Sequence, residues 1–73
     1  MSQKEKIKLF DITHGKSELI FSYFSEHVPR IGDLWFLQRD KYSRRWRVED
    51  VHWVWNDNLK DYEEVQIFIK EVS

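Results

Sequence analysis

Residues 39–47 combine positive charge with aromatic rings, and this combination is the clearest candidate for chemistry in the chain. Cationic side chains attract phosphate groups and aromatic rings stack on bases, so the segment predicts a nucleic-acid contact. In another interpretation, Arg45 and Arg47 form the solvent face of a strand whose Trp46 belongs to the core. The formal net charge of −1 favours that second interpretation, because nucleic-acid modules are often basic overall. The residues of the nucleic-acid interpretation are Arg39, Lys41, Tyr42, Arg44, Arg45 and Arg47.

An acidic segment follows the basic one. Residues 49–64 carry six carboxylates and one lysine, which gives −5, whereas residues 39–47 carry +4. Such asymmetry favours electrostatic steering to a protein partner, or head-to-tail self-association. The same charges also have a simpler role, since solvated charge keeps an aromatic-rich domain from aggregating.

The chain has four tryptophans, more than a core of this size encloses comfortably. We therefore expect Trp35 or Trp55 to be partly exposed. An exposed Trp beside Arg is typical of a binding hot spot, and equally of a rim residue with one hydrated edge. The predicted partner-binding residues are Trp35, Trp55 and Phe68.

Residues for catalysis or metal binding show no recognisable arrangement. His14, His27 and His52 are far apart in the sequence, without an H-x₃-H spacing, and there is no Cys. The sequence contains no Gly-rich phosphate loop and no nucleophile elbow. We predict no enzyme activity, no cofactor, no metal site and no small-molecule substrate.

The segment RRWRVEDVHWVW, residues 44–55, organises the predicted fold. Its aromatic and β-branched residues favour a strand. Strict alternation puts Trp46 and Val48 on one face but the later apolar residues on the other. One extra residue at Glu49–Asp50, a β-bulge, restores a single apolar face, and a bulged strand bends as a small barrel requires. That face would carry Trp46, Val48, Val51, Trp53 and Trp55.

Four further segments alternate between apolar and polar residues as strands do: residues 6–13, 18–25, 34–38 and 62–72. The first has an irregularity near Phe10, and a turn at Gly15 joins it to the second as a β-hairpin. A helix over residues 17–27 is the competing interpretation, because its apolar residues also have helical spacing. Pro29 and Gly32 mark the turn that precedes the third strand.

These elements predict an all-β fold: a small single-domain antiparallel five-stranded barrel or strongly twisted sheet, SH3-like, with a bulged central strand. Residues 1–5 are expected to be disordered, and residues 6–73 to form the domain. No apolar run approaches the ~18–20 residues of a membrane span, and no signal peptide is recognisable. We expect a soluble, cytoplasmic protein without membrane association.

The second half of the chain, residues 28–72, resembles small SH3-like barrel proteins of bacteria and their phages. The resemblance rests on three features in order: Pro29-x-x-Gly32-Asp33-apolar, Trp46-x-Val48-x-x-Val51, and a terminal alternating strand. The resemblance implies a small SH3-like barrel fold and identifies no catalytic residue. A phage or plasmid accessory function is suggested by this resemblance and by no other feature of the sequence. The sequence as a whole predicts a non-enzymatic interaction module that binds a protein partner or self-associates. The alternative is a nucleic-acid-binding barrel that uses residues 39–47.

Overall fold

The computed structural model describes residues 4–39 and 42–72, except for the side chains of Arg39 and Tyr42. Five strands form one sheet and no helix occurs among these residues, which confirms the predicted all-β single domain. Residues 18–25 form a strand, as predicted, and not the competing helix. The strands are β1 (Glu5–Asp11), β2 (Glu18–Ser25), β3 (Leu34–Arg39), β4 (Tyr42–Asn56) and β5 (Asp61–Glu71).

The sheet curls into a half-barrel with the strand order β2-β1-β5-β4-β3. The β1–β2 hairpin joins the β3–β4–β5 meander through the pairing of β1 with β5, which is parallel. The sheet is therefore mixed, whereas the sequence predicted antiparallel pairing throughout. A parallel pair needs a long crossover, and here residues 12–60 separate the two strands. Such a distant pairing leaves no signal in the local pattern of either strand.

The predicted bulge in β4 is confirmed. Val48 pairs with Ile69 and Asp50 pairs with Phe68, so Glu49 is the extra residue on β4. The register continues with Val51 opposite Ile67, which returns the apolar side chains to the inner surface of the half-barrel. We call this inner surface the concave face and the outer surface the convex face.

The core lies on the concave face. The two edge strands, which lack backbone pairing to each other, are bridged by the rings of Phe21 and Trp35, whose centroids lie 5.7 Å apart. Trp35 also packs against the buried Trp46 at 5.4 Å. Full burial of a large apolar side chain contributes about 1.5–3 kcal/mol, so these few residues carry much of the stability. The buried core residues are Ile7, Leu9, Trp46, Val48, Val65, Ile67 and Ile69.

The first strand differs slightly from its prediction. It already begins at Glu5, within the segment expected to be disordered, and residues 1–3 lie outside the described part of the chain. The register between β1 and β2 shifts between Leu9 and Phe10, where an irregularity was predicted, and Ile20 is the extra residue on β2. In residues 4–39 and 42–72, no helix has the length and apolar character needed to cross a membrane.

Candidate functional site

The three predicted partner-binding residues lie on different parts of the surface. Trp35 is half-buried among the aromatic rings of the core. Trp55 is half-exposed near the end of β4. Phe68 lies on the convex face, where its ring stacks on that of Phe10 at 5.4 Å and 19°. The structure therefore does not combine them into one surface.

Trp55 instead belongs to a group of three aromatic rings at the open end of the concave face. Tyr62 contacts Trp53 at 5.2 Å and Trp55 at 5.3 Å between ring centroids, both edge to face. All three side chains remain 44–52% exposed. We call Trp53, Trp55 and Tyr62 the hairpin aromatic cluster, because they lie where β4 and β5 meet at their turn.

A second register irregularity positions this cluster. The pairing of β4 with β5 shifts after Val54, so that Glu63 becomes an extra residue and Tyr62 lies opposite Trp55. The turn is fixed by the Asn56 side-chain oxygen, which accepts bonds of 2.9 and 3.3 Å from the backbone N–H groups two and three residues later. Lys60 completes it in the left-handed region, with φ of 55°. The three rings are thus held by backbone geometry.

A groove of about 690 Å³ borders the cluster at Trp53. One wall is the β2–β3 connection, which is tied to β4 by two backbone bonds of 2.9 Å: Gly32 N–H donates to the Val48 carbonyl, and Val48 N–H donates to the Asp33 carbonyl. Gly32 has φ of 95°, a region that favours glycine. The groove is lined by Glu26, Val28, Pro29, Arg30, Ile31, Val51 and Trp53.

A smaller cavity of about 300 Å³ lies on the other side of Val28 and Pro29. Trp35 forms part of its wall, together with Leu34 and the buried Val48. The predicted binding residue Trp35 thus lines a cavity, though not the groove beside Trp53. It is separated from the hairpin aromatic cluster by the β2–β3 connection.

The turn beside the hairpin aromatic cluster is acidic. Asp57, Asp61 and Glu63 are all exposed, and the nearby cation Lys60 forms an ion pair with Asp57 at 3.0 Å. Asp61 accepts a bond of 2.7 Å from the backbone N–H of Tyr62. Three carboxylates against one ammonium leave residues 57–63 with a net charge of −2. The exposed rings therefore lie next to an excess of negative charge.

Arg44, one of the predicted nucleic-acid residues, is engaged inside the fold. Its guanidinium makes two bonds, of 3.1 and 2.6 Å, to the Glu71 carboxylate, and it lies 3.8 Å from Asp11. It also stacks over the Trp46 ring, 4.8 Å from the centroid. Arg44 lies two positions before Trp46 on the same strand, so both side chains occupy the concave face. This cation is committed to internal contacts and does not join a surface patch.

Asp11 is the buried acid of this network. Burial raises the pKa of its carboxyl, but hydrogen bonds from the hydroxyl and backbone N–H of Thr13 outweigh that effect, and the net pKa lies below its ordinary value. The indole of Trp46 and the Arg44 guanidinium lower the pKa further. The Trp46 N–H itself makes no hydrogen bond of ordinary length with the described residues. The Thr13 hydroxyl also accepts a bond of 2.8 Å from Glu71 N–H, which ties the segment after β1 to the end of β5.

The remaining predicted nucleic-acid residues divide into two groups. Arg45 and Arg47 are exposed on the convex face, since they alternate with the buried Trp46 and Val48. The side chains of Arg39 and Tyr42, and all of Lys41, lie outside the described residues.

Histidines and acids do not form a metal centre in the described residues, where no group of three or more His, Cys, Asp or Glu side chains is placed to hold an ion. His52 pairs with Asp50 at 2.8 Å and packs against the Phe68 ring at 4.7 Å. The hydrogen bond from His52 holds the pKa of the Asp50 carboxyl below its ordinary value.

Comparison with protein-family models, with curated proteins and with solved structures finds no match for this chain. The sequence pattern placed Trp53 on the apolar face of β4 but did not mark it as a binding residue, and it gave no indication of Tyr62. The i, i+2 spacing of Trp53 and Trp55 near the end of a long strand was the available signal, because strand ends extend beyond a small core.

Proposed function

We propose that this protein is a non-enzymatic interaction module that binds a protein partner through the hairpin aromatic cluster. One observation carries the proposal: two indoles and a phenol, each about half exposed, are packed edge to face on a turn fixed by hydrogen bonds. Trp and Tyr are enriched in binding hot spots, and rigid rings lose little conformational entropy when they are covered.

The surroundings of the cluster favour a basic, apolar segment as the partner. The groove beside Trp53 offers Val28, Pro29 and Ile31 as apolar contacts. The carboxylates of residues 57–63 give the neighbouring turn a net charge of −2. Lys or Arg groups of a partner would approach these carboxylates and the faces of the indoles, which attract cations. An apolar side chain next to them would enter the groove.

The proposal includes a cytoplasmic location and kinship with SH3-like barrels. The absence of Cys is compatible with a reducing compartment. The suggested kinship rests on the sequence pattern of residues 28–72, and a small curled five-stranded sheet is compatible with it.

Selection from a displayed library of random peptides tests this function, with the immobilised full chain as bait. We expect enriched peptides to combine Lys or Arg with a large apolar residue. Synthetic copies should bind the protein and change its tryptophan fluorescence, because both cluster indoles are partly exposed. Trp55→Ala and Tyr62→Ala should each weaken binding by at least about 2 kcal/mol, roughly 30-fold, as hot-spot residues do.

Phe24→Ala provides the matched control, since Phe24 is an exposed ring on β2 that belongs neither to the cluster nor to the lining of the groove. This variant should bind the selected peptides like the original protein. Enrichment of acidic peptides, or equal binding by Trp55→Ala and Tyr62→Ala, would refute the proposal. Circular dichroism of each variant confirms that the sheet is retained.

A further inference from the structure

The convex face carries a second candidate binding surface, which is positively charged, whereas the hairpin aromatic cluster lies beside carboxylates. Arg47 lies between Leu34 on β3 and Lys70 on β5, each its direct cross-strand neighbour. Arg45 follows two residues away on β4, opposite Phe36. All five side chains are exposed. We call these residues the convex basic patch.

The three cations of the patch have no carboxylate partner within residues 4–39 and 42–72. Among the described residues, neither Arg45, Arg47 nor Lys70 forms an ion pair within 4.0 Å. Arg47 and Lys70 moreover occupy directly opposite positions, an arrangement that destabilises a sheet. The nearest acids along β4 are Glu49 and Asp50, and Asp50 is already paired with His52. The patch therefore presents three cations available to an external anion.

Two apolar side chains lie within this positive field. Phe36 is 58% exposed and Leu34 is 52% exposed, both on the edge strand β3. Each is the cross-strand neighbour of an arginine. A ligand that satisfies the whole patch must bring anionic groups and flat or apolar surface together.

We propose that the convex basic patch binds single-stranded nucleic acid. The phosphates would contact Arg45, Arg47 and Lys70, while an unstacked base would lie on the ring of Phe36. A duplex keeps its base faces stacked inside, so it could not use an aromatic ring on an open sheet in this way. The arginines project from one strand about 7 Å apart, in step with its two-residue repeat.

The patch differs from the set that composition alone indicated. Arg44 is excluded because it is bound to Glu71 on the concave face. Lys70 and Phe36 enter because the register places them beside the arginines. The net charge of −1 is no obstacle to this surface, since the opposing carboxylates of residues 57–63 lie beyond the bulge at the other end of β4.

Fluorescence anisotropy with labelled oligo(dT) and oligo(rU) of about 12 nucleotides tests the inference. We expect binding at low salt, with a slope of log K against log salt near −2, since each phosphate contact on a single strand contributes about −0.7. Affinity should then fall roughly 15- to 20-fold between about 50 and 200 mM salt. Arg45→Glu/Arg47→Glu should abolish binding. Phe36→Ala should lower affinity about 5- to 140-fold and leave the salt slope unchanged, because stacking involves no phosphate.

Lys4→Glu/Lys16→Glu is the control, since it makes the same change in net charge at exposed lysines outside the patch. It should retain binding. Arg47→Glu places a carboxylate opposite Lys70, so the patch variant should remain folded, which a urea titration verifies. Absence of binding at low salt, or equal loss in the control, would overturn the inference. Equal affinity for labelled oligoglutamate, insensitive to Phe36→Ala, would also overturn it by showing a surface for any anion.

Discussion

Arg44 and Arg45 are consecutive residues with opposite roles. Alternation along β4 directs Arg44 to the concave face, where it stacks over Trp46 and bonds Glu71, and directs Arg45 to solvent. The sequence contained this distinction, because Arg44 shares the parity of Trp46. Counting every cation in a segment therefore overstates the charge available to a ligand. The count should include only the cations whose alternate positions along the strand point to the solvent-exposed face.

At the residue scale, we expect Asp11→Ala to lower the free energy of unfolding by about 1–3 kcal/mol. Asp11 is buried and accepts bonds from the backbone N–H and hydroxyl of Thr13, so truncation leaves these partly buried donors without their acceptor. Urea titration measures the change. Asp57→Ala is the matched control, because its ion pair with Lys60 is exposed and its loss should cost no more than about 0.5 kcal/mol. Equal costs for both variants would contradict a structural role for the Asp11 network.

Glu49 determines which side chains of β4 point to the concave face. It is the extra residue of the β4 bulge, and side chains before and after it share the concave face only because it is present. Without it, either Trp46 and Val48 or Val51 and Trp53 must turn outward.

At the element scale, we therefore expect deletion of Glu49 to remove about 3–6 kcal/mol if the fully buried Trp46 and Val48 turn outward. The loss should be smaller if the partly buried Val51 and the half-exposed Trp53 turn outward instead. A chain of 73 residues has a margin of about 4–11 kcal/mol in total. Thermal and urea unfolding followed by circular dichroism measure the loss. Glu49→Ala keeps the residue count and an exposed position, so it should change stability by no more than about 0.5 kcal/mol. An unchanged urea midpoint in the deletion variant would show that the bulge does not set the register.

The difference between local patterns and pairing of distant segments explains which parts of the fold could be predicted from the sequence. The strands, the bulge and the hairpin depend on local alternation and turn chemistry, which neighbouring residues display. The parallel pairing of β1 with β5 depends on distant segments, and neither segment encodes the direction of its neighbour. Part of the hairpin aromatic cluster could be predicted, because Trp53 and Trp55 are two positions apart on one strand and therefore share a face. Tyr62 joined it only through a register shift at Glu63, for which the alternating pattern of β5 gave no sign.

For the whole molecule, the half-barrel separates two kinds of surface. Its concave face ends in exposed rings beside a turn of net charge −2, and its convex face carries three cations without ion-pair partners among the described residues. Buried acids link strands of the same sheet. Lys8 on β1 contacts Glu64 on β5 at 3.0 Å, and Glu64 accepts a bond of 2.8 Å from Gln66.

Acid should weaken the whole fold through these internal carboxylates. Hydrogen bonds from Gln66 and then Lys8 lower the pKa of Glu64, and the Thr13 bonds overcome burial to lower the pKa of Asp11. A lowered pKa in the folded state stabilises the protein above the unfolded values of 4.5 and 3.8, and this stabilisation is lost as the pH falls through the folded values. We expect the free energy of unfolding to be steady near neutrality and to decrease below about pH 4.5. Urea titrations along a pH series measure this, and Asp11→Asn/Glu64→Gln should flatten the decrease, because neither replacement titrates. An equally steep decrease in the double variant would assign acid sensitivity to other groups, of which the Glu71 carboxyl, whose pKa is lowered by its bond to Arg44, is the next to replace.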